Sequence, residues 1–252
     1  MLWHKAWIDT RWRFLIGLVV LVGLAIENVF YFSSAQTLNL GAVPGAAGWL
    51  ADQLREIAHL SQSFGGYIWV QFVRQNLAQP WIILAALLGA EGLVSGRRGG
   101  LFTLSLPVSR SRLCAVRVAT DLAELALLAL VPMGIVSVVA PAVGHAYALA
   151  DALVYGIGVF LGGAVFYALA LWLSTVFNDR WRPIVISLAV AAGLIFCRNL
   201  TPALSAFSPV SVMAGESYFR TGEPAWAGLL AWPLVSAGLI FAAVRSIQAR
   251  DF

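Results

Sequence analysis

Apolar runs of membrane-crossing length, separated by short breaks that carry arginine, dominate this chain. Runs at residues 14–32, 67–90, 113–139, 152–177, 184–200 and 226–244 each approach the roughly 20 residues that cross bilayer hydrocarbon as a helix. Inside hydrocarbon, backbone N–H and C=O groups find no water, so each run must pair them internally as a helix. The composition agrees. Charged residues make up 11% of the chain and hydrophobic ones 60%, with a mean hydropathy of +0.84. Ordinary soluble domains are about 25% charged. The expectation is an all-α integral membrane protein with six transmembrane helices in a single domain, 1–252.

The breaks set the predicted topology. Residues 1–13 carry Trp3, Trp7 and Trp12 among Lys5, Arg11 and Arg13, and read as an interfacial helix rather than a cleavable signal. Residues 33–63 are polar enough to lie outside, with a short amphipathic surface helix near Trp49, Leu50, Leu54 and Ile57. Pro80 should kink the second span, whose freed carbonyl a neighbour must satisfy. Asn178, Asp179, Arg180, Trp181, Arg182 and Pro183 read as a compact cytoplasmic turn, with proline placed to start the next helix. Residues 201–225 are too rich in Pro, Gly and polar residues for a full span. They suit short re-entrant or surface helices on the outside. Twelve of the 16 Lys and Arg residues then fall on the cytoplasmic side and three outside. Both termini are therefore expected in the cytoplasm of a multi-pass cell-membrane protein. The net charge of +4 reports this asymmetry and not a nucleic-acid partner. Cys114 and Cys197 fall near opposite membrane faces, too far apart for a disulfide.

Much chemistry is excluded. Lys5 is the only lysine, so no G-x-x-x-x-G-K-[ST] phosphate loop exists. His4, His59 and His145 are too scattered for a metal cluster. No G-x-S-x-G elbow occurs. No catalytic residue and no cofactor are expected in this chain, and any enzymatic engine must come from a partner.

The break at 96–112 is distinctive. Arg97 and Arg98 open it, Arg110 and Arg112 close it, and Leu101, Phe102, Leu104 and Leu106 lie between, ending at Pro107. Arginines hold it in water, and a short Leu/Phe-bearing helix there is a surface for another protein to grip. Glu91, the Arg/Gly-rich stretch and then Leu104-Ser105-Leu106-Pro107-Val108-Ser109-Arg110 resemble the loop between the second and third spans of ABC-2 type transporter permeases. In that family a Gly-Thr-x-x-x-Leu-Leu-Ser-x-Pro-Val-Ser-Arg pattern forms the coupling helix that docks into a separate ATPase. The lead-in helix, six spans and closing Arg250-Asp251-Phe252 are also similar. Two positions depart from the pattern. Ser95 stands where the family has an acidic residue, with Glu91 a turn earlier, and Gly100 stands where threonine is common.

The resemblance implies a six-helix permease bundle with an N-terminal interfacial helix and a cytoplasmic coupling helix. It implies a permease subunit, by default an exporter, driven by ATP hydrolysis with ATP and Mg in partner ATPase subunits. A second permease copy or a homologous permease would complete the assembly. The coupling-helix residues carried over are Gly99, Leu101, Phe102, Leu104, Leu106, Pro107 and Arg110. The alternative class is a membrane assembly or anchoring protein without transport.

Polar residues within the spans are the remaining candidates. Glu27, Asn28, Gln79 and Glu124 are candidates for an intramembrane polar or substrate pathway. Arg117 and Asp121 have the i,i+4 spacing of a local helix ion pair. Glu124 has no evident partner in its own helix. Gly156, Gly158, Gly162 and Gly163 read as tight helix contacts.

Overall fold

The computed structural model describes residues 2–37, 48–91, 110–177, 179–200 and 207–248. These are helical almost throughout, with no strand among them. In chain order the helices are α1 (Leu2–Thr37), α2 (Trp49–Leu60), α3 (Phe64–Tyr67), a π-helical segment Ile68–Leu77, α4 (Ala78–Ala90) and α5 (Arg110–Val139). A 3₁₀ turn (Ala140–Val143) follows. Then come α6 (Leu149–Val176), α7 (Trp181–Leu200), the short α8 (Pro209–Met213) and α9 (Glu216–Thr221), and α10 (Trp226–Gln248).

Four helical stretches are long and apolar enough to cross a membrane: Leu2–Ser34, Ser111–Val143, Leu149–Val176 and Trp226–Gln248. Several such helices in one chain fit a multi-pass membrane protein. The helical run 64–90 and the shorter apolar helix Trp181–Cys197 stand outside that count.

Helix α6 is the centre of the bundle, packed by α4, α5, α7, α8 and α10. Its glycines explain why so many elements reach it. A Cβ at Gly162 would press on the Met213 nitrogen and the Pro209 carbonyl, and one at Gly158 on the Val212 carbonyl. So α8 lies directly on the α6 backbone. A Cβ at Gly163 would overlap the Trp81 ring, which fills the α4–α6 contact and donates its Nε1–H to the Leu125 carbonyl at 3.0 Å. That hydrogen bond lets a buried indole keep its polar atom satisfied.

Residues 2–13 differ from the expected separate interfacial helix. They continue into the first span as one helix of 36 residues. At about 1.5 Å per residue this is roughly 54 Å, longer than the ~30 Å hydrocarbon. The cause is packing. Ala6, Thr10 and Phe14 are buried, and Thr10 bonds to α5, so the segment follows the bundle instead of turning onto its surface.

Pro80 acts on the helix ahead of it. Proline offers no N–H to the Asn76 carbonyl and crowds that turn. The chain widens there into π geometry, with the Ala78 N–H reaching back to the Val73 carbonyl. Within 201–225 the described residues form α8 and α9.

Candidate functional site

Residues 92–109, which hold Gly99, Leu101, Phe102, Leu104, Leu106 and Pro107, lie outside the described residues. The two ends of that loop are described. Glu91 caps the 64–90 helical run, and Arg110 begins α5. The first turns of α1 and the last turn of α10 come to the same end of the bundle. Thr10 and Arg13 of α1 are there, and on α10 the Gln248 amide donates to Ser111 Oγ at 2.7 Å.

Glu91 is the hub of this end. A carboxylate at a helix C-terminus is disfavoured by the helix dipole, so it calls for cations. Three arginines supply them. Arg13 of α1 ion-pairs with Glu91 Oε2, Arg117 of α5 sits 3.5 Å from the same oxygen, and Arg180, just before α7, is 3.0 Å from Oε1. One carboxylate therefore ties α1, α4, α5 and the entry to α7 together at the root of the loop.

The cluster runs deeper along α5. Arg117 Nε donates to Asp121 Oδ2 at 3.1 Å, the expected i,i+4 pair. The Tyr167 hydroxyl of α6 donates to the same oxygen at 3.0 Å. Glu124, one turn further in, accepts from the Thr10 hydroxyl of α1. Asp121 and Glu124 are 1% and 2% exposed. Asp121 Oδ1 and Glu124 Oε2 are buried without a hydrogen-bond partner among the described residues. With three arginines against Glu91, Asp121 and Glu124, the cluster is balanced when all are ionised.

The candidate pathway residues divide into two places. Asn28 donates to the Leu24 carbonyl and accepts from Asn76 at 3.5 Å. Glu27, beside it in sequence, is exposed, as is Gln79, one turn from Asn76. Glu124 is elsewhere, since its partner Thr10 lies about 25 Å down α1 from Glu27. The sequence does not single out Thr10, Arg13, Tyr167 and Arg180 as partners of these acids. Their contacts cross helices far apart in the chain, where no spacing rule applies.

The opposite end of the bundle is closed by α9. Arg220 reaches Glu56 of α2 at 3.0 Å, and Phe219 stacks on Trp69 with ring centroids 4.1 Å apart. The Tyr218 hydroxyl donates to Asp151 at 2.6 Å, and that bond to a carboxylate raises the phenol above its ordinary range. Burial likewise raises Tyr147. A pocket of about 20 Å³ between α6, α8 and α9 has room for a water and not for a substrate. No group of three or more His, Cys, Asp and Glu able to hold a metal occurs among the described residues.

The chain matches no family model, no curated protein and no solved structure.

Proposed function

We propose that this chain is the membrane permease subunit of an ABC transporter of the ABC-2 type, with residues 96–112 as its coupling element. The observation that carries the reading is the Glu91 hub at the root of that loop. The loop leaves the bundle from a carboxylate held by arginines of three other segments, and returns as α5, which bears Arg117. A push or pull on the loop is thereby delivered to α1, α4, α5 and the start of α7 together. An element meant to pass force from a soluble partner into a membrane bundle needs such a root. The Leu-Pro-Val-Ser-Arg sequence within the loop supports the same reading.

In this proposal the 64–90 run and α7 complete a six-span bundle. Both termini and the arginine-rich end face the cytoplasm, following the positive-inside rule. The chain carries no P-loop, because Lys5 is its only lysine, and the nucleotide chemistry is assigned to the partner. ATP and Mg belong to partner ATPase subunits, and export is the default direction. A second copy or a homologous permease completes the transmembrane path.

The test is ATP hydrolysis. The purified chain alone should show none above background, and a complex with a P-loop subunit should hydrolyse ATP. Hydrolysis by the rigorously pure chain refutes the reading.

A further inference from the structure

We propose that Glu124 is a proton-binding site at the contact of α1 and α5, holding a proton while Thr10 is seated against it. The starting point is a count of hydrogens. The Thr10 hydroxyl carries one hydrogen and can donate once. Three acceptors lie around it. They are Glu124 Oε1 of α5 and, on its own helix, the carbonyls of Ala6 at 3.1 Å and Trp7 at 3.5 Å. A threonine within a helix commonly donates to the carbonyl four residues back. Either Thr10 turns its hydrogen from the Ala6 carbonyl to an ionised Glu124, or Glu124 brings a hydrogen of its own. The second arrangement keeps both contacts. Glu124 donates to Thr10 Oγ1, and Thr10 donates to the Ala6 carbonyl.

The surroundings separate the two buried acids. Asp121 receives two donors, Arg117 Nε at 3.1 Å and the Tyr167 hydroxyl of α6 at 3.0 Å, and keeps its charge. Glu124 has Thr10 alone. It is 2% exposed, Thr10 is 0% exposed, and Glu124 Oε2 has no hydrogen-bond partner among the described residues. An ionised carboxylate spreads its charge over both oxygens, so half of it would lie in a dry contact with nothing to meet it. The nearby cations are engaged elsewhere. Arg117 holds Asp121 and Glu91, Arg13 of α1 holds Glu91, and Arg180 holds the other Glu91 oxygen and reaches water at 43% exposure. On α1, Asp9 and Arg11 are exposed, and on α10 the Arg245 guanidinium lies over the Phe241 ring. No cation ion-pairs with Glu124 among the described residues.

Release is a proton transfer to water. The Glu124 O–H bond breaks, its electron pair stays on the carboxylate, and the proton passes to a water molecule. A charged Glu124 needs that water beside it, so α1 must part from α5 at Thr10 before the proton leaves. Uptake reverses the step and reseats Thr10. The site thereby ties the seating of α1 to proton concentration. This goes beyond the proposed function and rests on the α1–α5 contact, not on residues 96–112 or an ATPase. A chain that hydrolyses ATP by itself would lose that reading and keep this one.

The test is infrared spectroscopy of the full-length protein in lipid near neutral pH, reading the C=O stretch of a protonated carboxyl. Glutamine keeps the shape of Glu124 and can donate to Thr10, so E124Q should fold. The expected result is a protonated-carboxyl band in the wild type that E124Q lacks. T10V removes the acceptor, so the band should persist there and move to higher frequency. As a second measurement, unfolding in weakly buffered denaturing detergent should release about one proton per chain more from the wild type than from E124Q, because an exposed carboxyl is ionised near neutral pH. The same carboxyl spectrum in wild type and E124Q, equal proton release, or a band that T10V leaves unmoved overturns the inference. So does a wild-type spectrum with no protonated-carboxyl band, whether or not E124Q folds.

Discussion

Replacing Glu91 by glutamine tests the hub with a nearly isosteric change. The substitution removes one negative charge and leaves Arg13, Arg117 and Arg180 facing an amide. The three pairs are not equal. Glu91 and Arg117 are 16% and 13% exposed in their side chains, so their attraction is little screened. Arg180 is 43% exposed, which limits its pair to about 0–1 kcal/mol. Breaking a buried pair costs about 3–5 kcal/mol when it strands a charge. Arg117 is not wholly stranded here, because Asp121 remains 3.1 Å away, and glutamine keeps one carbonyl acceptor. The expected loss is therefore about 2–3 kcal/mol in all. Reversible unfolding in mixed micelles, followed by the fluorescence of the chain's 10 tryptophans, would measure it. Double-mutant cycles apportion it, and E91Q should couple more strongly to R117M than to R180M. An E91Q protein within about 0.5 kcal/mol of wild type, inside the ordinary range of surface substitutions, would refute this reasoning. So would a larger coupling to Arg180 than to Arg117.

Two further outcomes follow from the same contacts and from the topology. T10V keeps the shape of Thr10 but strands Glu124, and should cost about 1–3 kcal/mol in the same unfolding assay, with T10S restoring most of it; a neutral T10V would mean that Glu124 draws nothing from α1. For topology, cysteines at Ser61 and Ser217 should label from outside intact cells in a background lacking Cys114 and Cys197, whereas S109C and S246C should not. External labelling of S109C contradicts the cytoplasmic placement of the loop.

How much of this was legible in the sequence depended on the range of the interaction. Apolar length is a local property, and it marked the stretches that became α1, α5, α6 and α10. The Arg117–Asp121 pair was legible because i,i+4 spacing fixes it within one helix. The glycines of α6 read correctly as close contacts, since Gly158, Gly162 and Gly163 lie against α8 and Trp81. The partners of Glu91 and Glu124 were not legible. Arg13, Arg180 and Thr10 meet those acids across helix packing, and no sequence interval encodes that. The same gap explains the lead-in. Trp3, Trp7 and Trp12 look interfacial by composition, but Thr10 and Ala6 are buried and keep the segment in line with α1. Glu27 and Glu124 share a residue type and a membrane setting, yet one is exposed and the other buried. Only the packing separates them.

The role of residues 96–112 as the coupling element is tested by the double substitution Leu101→Asp with Leu104→Asp, assayed for membrane insertion, ATPase association and transport together. The two leucines are three apart, a spacing that would put them on one face of a helix. If that face fills a pocket on the ATPase, truncating either should weaken docking by roughly 1–3 kcal/mol. Two aspartates in the pocket add unpaired charge and should weaken it further. The expected result is a normally inserted permease that no longer co-purifies with its ATPase, or whose ATPase runs without transport, while S61A behaves as wild type. Wild-type association and transport in the double mutant would contradict it, because the loop would then not be the coupling element.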